Sequence, residues 1–392
     1  MQIISKLPQV GTTIFTVMSA LANEVGAVNL SQGFPDFPID NTLAHYTHEA
    51  MQKGLNQYAP MAGLPLLREA LAHKLSQTYH FNCSPAENIT ITSGATEALF
   101  AAITALVSEG DEVIIFEPAY DSYVPAIELN KGVAIRIALT PESYQIDWQK
   151  VKESISPRTK AILINTPHNP TGTVLSQQDL LNLVEVVRNT NIWIISDEVY
   201  EHIIFDNIRH ESVLHYPELR ERSMAIYSFG KTFHATGWKI GYCVAPAEAT
   251  KEFRKVHQFL TFSTVTPMQY ALAIYLQNPE NYLHLPSFYE KKRNTFAQMM
   301  QETPFQLLPC QGTYFQLASY KHLSDEKDTD YTIRLTKEVG VATIPVSVFY
   351  QEPQDHKVIR FCFAKKEETL ARAVEKLIKH KEKLYQPQTT KA

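Results

Sequence analysis

Short apolar runs alternate with helical periodicity between residues 89 and 245. The runs span 89–92, 112–116, 133–138, 161–165, 192–196, 224–228 and 241–245. Most are unbroken rather than alternating between polar and apolar. That pattern predicts strands buried on both faces, hence a seven-stranded, mostly parallel sheet between layers of helices. Residues 229–240 carry no obvious helix. A parallel crossover normally needs one, so the seventh strand is predicted antiparallel to the sixth.

The flanks differ from this middle. Residues 1–40 are rich in Pro, Gly and Asn, with one short helical stretch near 14–21. Residues 281–392 mix helices with short strands at 312–317 and 358–363, and 282–300 reads as one long helix. An α/β chain in two parts follows: a large domain over 41–280 and a smaller α/β domain built from 1–40 and 281–392. The length of 392 residues supports this, since it exceeds what one small core serves. Residues 386–392 are expected to fray.

Composition narrows the function classes. Hydrophobic content of 44% and charged content of 20% are those of an ordinary globular chain. The net charge of −5 argues against nucleic acid or an anionic membrane as the main partner. No apolar run reaches membrane-spanning length, and residues 1–10 carry no secretory leader. Cys83, Cys243, Cys310 and Cys362 form no C-x-x-C pair and read as reduced thiols of a cytoplasmic protein. The histidines form no H-E-x-x-H motif, so no metal is expected.

In open α/β sheets, ligands bind beyond the carboxyl ends of the strands, and polar residues cluster at those ends here. Ser93-Gly94-Ala95-Thr96 opens an apolar helix over 97–107, which suits a phosphate or an ordinary N-cap. Tyr120, at the lip of the second strand, either stacks on a flat ring or packs. The prolines and glycine of Thr166-Pro167-His168-Asn169-Pro170-Thr171-Gly172 rigidify a loop around Asn169. Asp197 follows a buried strand and needs a partner, either a ring N–H⁺ or a structural cation; Tyr200 lies three residues on. Arg360 sits inside an apolar strand, where it wants a carboxylate, its own or a ligand's.

The stretch Ser228-Phe229-Gly230-Lys231-Thr232-Phe233-His234-Ala235-Thr236-Gly237-Trp238-Lys239 is the most telling. It places one lysine just past an apolar strand, in a loop of Gly, Thr and Ser, with a second cation close behind. A nucleotide P-loop would need glycine where Ala225 stands. A surface lysine at a turn is the plain alternative. The chemistry that uses both a lysine and an anion cradle is a Schiff base to pyridoxal phosphate.

Together these stations resemble the pyridoxal-phosphate aminotransferases of fold type I, the aspartate aminotransferase superfamily, over almost the whole chain. Ser31-Gln32-Gly33-Phe34-Pro35-Asp36-Phe37-Pro38 and Asn56-Gln57-Tyr58-Ala59-Pro60 look like the branch holding kynurenine aminotransferases, glutamine transaminase K and bacterial methionine aminotransferases. Ala59-Pro60-Met61-Ala62-Gly63, with the lysine loop, is most similar to the methionine type. Thr96 stands where some kynurenine-type members have Tyr, and Lys239 where many superfamily members have Arg.

The resemblance implies a role for each station. Lys231 holds the cofactor and moves the proton, and Asp197 keeps the pyridine nitrogen protonated. Asn169 and Tyr200 bond the ring oxygen, and Tyr120 stacks on the ring. The amides of Ala95 and Thr96, the Thr96 and Ser228 hydroxyls and Lys239 cradle the phosphate. Tyr58 reaches the phosphate from the neighbouring subunit, which implies a homodimer. Arg360, with Gly33 and Asn169, binds the substrate α-carboxylate. The implied reaction moves an amino group from methionine, or a related large uncharged or aromatic amino acid, to a 2-oxo acid. Kynurenine or glutamine transamination, and a cysteine-S-conjugate carbon–sulfur β-lyase on the same fold, are the alternatives. Ile14, Phe15, Phe34 and Phe349 are candidate side-chain contacts.

Overall fold

The computed structural model describes residues 3–352 and 354–385, so the tail at 386–392 lies outside the described residues. Its centre is a seven-stranded sheet. In spatial order the strands are Ile89–Thr92, Gly241–Val244, Ser223–Ser228, Trp193–Asp197, Thr159–Asn165, Glu112–Glu117 and Val133–Ala138. Gly241–Val244 runs antiparallel to both neighbours and the other pairs are parallel, as the strand pattern predicts. Between Ser228 and Gly241 lie only a helical turn, Phe229–Thr232, and a 3₁₀ turn, Thr236–Trp238. Both are too short for a parallel crossover.

Period-two alternation explains why the runs are unbroken. Val113, Ile115, Leu163, Ile195, Met224 and Ile226 enter one apolar cluster, with helix Gly94–Leu106. Their neighbours Ile114, Ile162, Ile164, Ile194, Ala225 and Tyr227 enter the other, with helix Pro65–Tyr79. Successive side chains point to opposite faces and both faces are dry, so a polar residue inside a strand is paired within the protein, as Ser196 is with Glu198 and Thr90 with Arg254.

A second, antiparallel sheet orders Ile344–Pro345, Val358–Cys362, Phe315–Ser319 and Gln306–Leu307. Val28–Asn29 pairs in parallel with Val341–Ala342, which ties the N-terminal segment to the C-terminal one. Two local expectations shift. The predicted 282–300 helix is two, Glu280–Leu283 and Leu285–Met300, because Pro286 in the first turn of the second has no N–H to continue the first. The predicted strand at 312–317 starts at Phe315, since Thr313 adopts φ +65°.

Candidate active site

Strand parity builds the site. Asn165, Asp197 and Ser228 share parity with Leu163, Ile195 and Ile226, and all three line one pocket at the carboxyl ends of their strands. Asn165 and Asp197 are register partners. Ser196, Glu198 and Tyr227 have the opposite parity. They face away, where Glu198 accepts from Ser196 at 2.8 Å and Tyr227 at 3.0 Å.

The same pocket gathers Ala95, Thr96, Tyr120, Asn169, Tyr200, Lys231 and Lys239. Helix Gly94–Leu106 starts at its floor, so free amides of the first turn face the cavity. Gly94 has φ +77°, and a Cβ there would stand 3.2 Å from Lys239 Nζ. A Cβ on Gly241 would stand 2.9 Å from Ala95 N. The backbone at these two glycines therefore leaves room for Ser228, Lys239 and the helix amides to converge on one anion. That donor set fits a phosphate group.

Asp197 is buried, and burial raises its pKa to about 6. Two donors hold it: Tyr123 Oη at 2.7 Å and the amide of Val199 at 3.3 Å. Lys231 is half-buried; loss of water lowers its pKa to about 8. Its Nζ lies 3.5 Å from the Gly33 carbonyl and over the rings of Tyr200 and Tyr314, at 5.6 and 5.7 Å. Tyr314 donates to the same carbonyl at 2.6 Å.

Arg360 is fully buried on strand Val358–Cys362 and stacks on Phe315 at 3.9 Å. Nη1 donates to Asn169 Oδ1 at 2.8 Å and Nη2 to the Ser31 carbonyl at 3.2 Å, while Nε has no partner. A buried guanidinium with an unused N–H is an anion receptor. Asn169 is aimed by Asn165, whose Oδ1 accepts the Asn169 amide at 2.9 Å and whose Nδ2 donates to the Asp197 carbonyl at 2.9 Å.

Tyr58 is not in this pocket. It is 83% exposed, packed edge-on against Phe262 at 5.3 Å. Of the candidate side-chain contacts, Ile14 and Phe349 line an adjoining groove with Tyr120, and Phe15 lies 5.2 Å from the Arg360 guanidinium. Phe34 is exposed and its carbonyl accepts from Lys365. The sequence reading missed Tyr123, Asn165, Tyr314 and Phe315. Only Asn165 had a local signal, a polar residue ending an apolar strand. No cluster of metal-ligating side chains occurs among the described residues, and none of their helices is long and apolar enough to cross a membrane.

An α/β sheet with a lysine, a carboxylate and an anion cradle at its carboxyl edge defines a class of group-transfer enzyme. Comparison with known proteins names it. The family of class I and II aminotransferases matches residues 25–377, and the chain belongs to that family. A methionine aminotransferase of Escherichia coli is 53% identical, covering 95% of this chain and 97% of its own. An E. coli structure described as having methionine aminotransferase function superposes with a TM-score of 0.95 at 52% identity, over 97% of this chain and 100% of that one. Human kynurenine–oxoglutarate transaminase 1 is 34% identical, over 93% of this chain and 94% of its own. An aspartate aminotransferase from Thermus thermophilus gives a TM-score of 0.88 at 28% identity, over 97% of this chain and 100% of that one. The chain is an aminotransferase with the aspartate-aminotransferase-like fold.

Proposed function

We propose that this aminotransferase uses pyridoxal phosphate and takes its amino group from methionine, or from related large uncharged or aromatic amino acids, for delivery to a 2-oxo acid. One observation carries the reading: Lys231, Asp197 and the anion cradle of helix Gly94–Leu106 share one pocket, with Arg360 beside it. When bound, pyridoxal phosphate supplies a carbonyl for the donor amine and a protonated ring that draws electrons from the substrate α-carbon.

The chain does the rest. Lys231 Nζ removes the α-proton and returns it; a pKa of about 8 leaves a neutral fraction of the amine at physiological pH. Asp197 holds the proton on the ring nitrogen. Asn169 and Tyr200 hydrogen-bond the ring oxygen, and Tyr120 covers the ring face. The Ala95 and Thr96 amides, the Thr96 and Ser228 hydroxyls and Lys239 hold the phosphate. Arg360 takes the α-carboxylate through its unpartnered Nε and the remaining N–H groups of its fork, helped by Gly33 and Asn169. On this reading the cradle belongs to a large domain over 41–280. Arg360 and Gly33 belong to the small domain of 1–40 and 281–392. Tyr58 serves the site of a neighbouring subunit in a homodimer, which accounts for its exposure in a single chain.

The groove beside the pocket supports an uncharged donor. Its charged lining residues are Glu117, Asp121, Glu128, Glu352 and Arg136, and Arg136 is already bonded to Glu117 at 3.1 Å. A dicarboxylate would meet this acidic wall without a free cation. Ile14 and Phe349 offer apolar contact suited to a thioether. The test is kcat/KM for methionine, glutamine, kynurenine, phenylalanine and aspartate with one 2-oxo acid. Methionine should lead and aspartate should trail. Aspartate ranking first would sink the reading, and kynurenine or glutamine ranking first would move the assignment to that transaminase. Pyruvate with free ammonia from cysteine S-conjugates would point to the β-lyase.

A further inference from the structure

We propose that Gln32 is a positioning residue that keeps one wall of the donor site, helix Ile14–Val25, in register with Arg360. The inference rests on the donor-site reading above and concerns how that site is held.

Helix Ile14–Val25 starts at Thr13, whose hydroxyl caps the Thr16 amide, and stops at Gly26 in the left-handed region. Its apolar contact is small: Met18 and Ala22 are buried, and Ile14, Phe15 and Leu21 are partly buried in a small cluster around Met18, Ile344 and Phe349. Yet this helix puts the Phe15 ring 5.2 Å from the Arg360 guanidinium and 5.9 Å from the Phe349 ring. The first turn of the helix, which carries Phe15, buries no apolar residue fully, so a polar contact there adds to its fastening.

Gln32 supplies it. Its Nε2 donates to the Phe15 carbonyl at 3.1 Å and also to the Ser19 hydroxyl. Asn29 Nδ2 reaches the same Ser19 oxygen at 3.3 Å, and Asn29 Oδ1 accepts from Ser31 N at 3.0 Å and Ser31 Oγ at 2.7 Å. The backbone on either side of Gln32 faces the site. The Ser31 carbonyl accepts from Arg360 Nη2, and the Gly33 carbonyl accepts from Tyr314 and Lys231. One residue therefore joins the carbonyls that position Arg360 and Lys231 to the backbone of the phenylalanine that stacks above Arg360. Displacing the helix moves Phe15, and through Gln32 and Asn29 it also pulls on the carbonyl that orients the guanidinium. Geometry this tightly chained matters because a side-chain wall held in place before the donor arrives adds to its binding without an ordering cost.

A mere structural tether would lower stability or change all donors alike. A positioning role makes donor selection depend on Gln32. The experiment measures kcat and KM for methionine and alanine with one 2-oxo acid in wild type, Gln32→Leu, Ser19→Ala and the double variant. Gln32→Leu should raise KM for methionine about tenfold, the equivalent of about one lost hydrogen bond, with kcat at saturation near wild type. Alanine, too short to reach Phe15, should lose less, so the methionine-to-alanine ratio of kcat/KM narrows. Ser19→Ala should shift the ratio the same way by less, and the double variant should fall short of the sum of the two because they share the Gln32–Ser19 contact. An unchanged ratio, a fall in kcat at constant KM, or additive effects would overturn the proposal. If Gln32→Leu fails to fold, an unchanged ratio in Ser19→Ala alone overturns it. A wild type that does not transaminate methionine removes the functional reading and this one with it. A wild type that does, with unaltered ratios in the variants, removes the role of Gln32 alone.

Discussion

Tyr123→Phe isolates the contact that controls the charge of Asp197. Both residues are buried, and the hydroxyl lies 2.7 Å from Oδ2. Asp197 stands at about 6 because burial raises its pKa, while Tyr123 and the Val199 amide draw it back down. A hydrogen bond to a charged group is worth ~1.5–3 kcal/mol. At ~1.36 kcal/mol per pKa unit, losing it should raise the Asp197 pKa by about one to two units. The ionised carboxylate is the form that pairs with a protonated ring nitrogen. Cofactor affinity in the wild type should therefore gain as pH rises through about 6, and the variant should need a higher pH for the same gain. The assay is the dissociation constant for pyridoxal phosphate, read from visible absorbance between about pH 5 and pH 9 and reported as variant over wild type. Taking the ratio cancels the titration of the cofactor's own phosphate, whose pKa is about 6. The wild-type advantage should grow about ten- to a hundredfold from the alkaline to the acid end. A ratio that does not change with pH would show that Tyr123 does not set the state of Asp197.

Two further outcomes bear on the remaining stations. Lys231→Ala should fold and bind cofactor, yet borohydride should no longer fix the cofactor to the protein; a labelled peptide from another lysine would make Lys231 the wrong residue. Tyr58→Phe should release cofactor more readily, and mixing inactive Tyr58 and Lys231 variants should restore part of the activity through heterodimers. An active monomer at assay dilution would contradict the shared site.

Much of the fold was legible along the chain because burial on both faces is a local property. Each unbroken run between residues 89 and 245 became a strand, with ends within two residues of those expected. The missing crossover helix at 229–240 correctly announced the antiparallel seventh strand. Parity is local within one strand, so Asp197 had to lie on the side of Ile195 and Ser228 on that of Ile226; that these sides are one face of the sheet came from the pairing of the strands. Punctuation was less secure: the break at His284 needed the effect of Pro286 weighed against a strong helical period.

Contacts between distant segments had no such signal. Tyr123 reaches Asp197 across 74 residues, and Arg360 reaches Asn169 across 191. The direction of Tyr123 is set by how helix Tyr123–Leu129 packs on the sheet, and the partner of Arg360 by how two sheets approach each other. Gln32 read only as part of a motif until the Ile14–Val25 helix was laid across it. The sequence by itself determined which residues end strands, and within each strand which neighbours share a side. Tertiary structure alone decided which partners meet them there, because strand periodicity orders a side chain relative to its own backbone and packing orders one backbone relative to another.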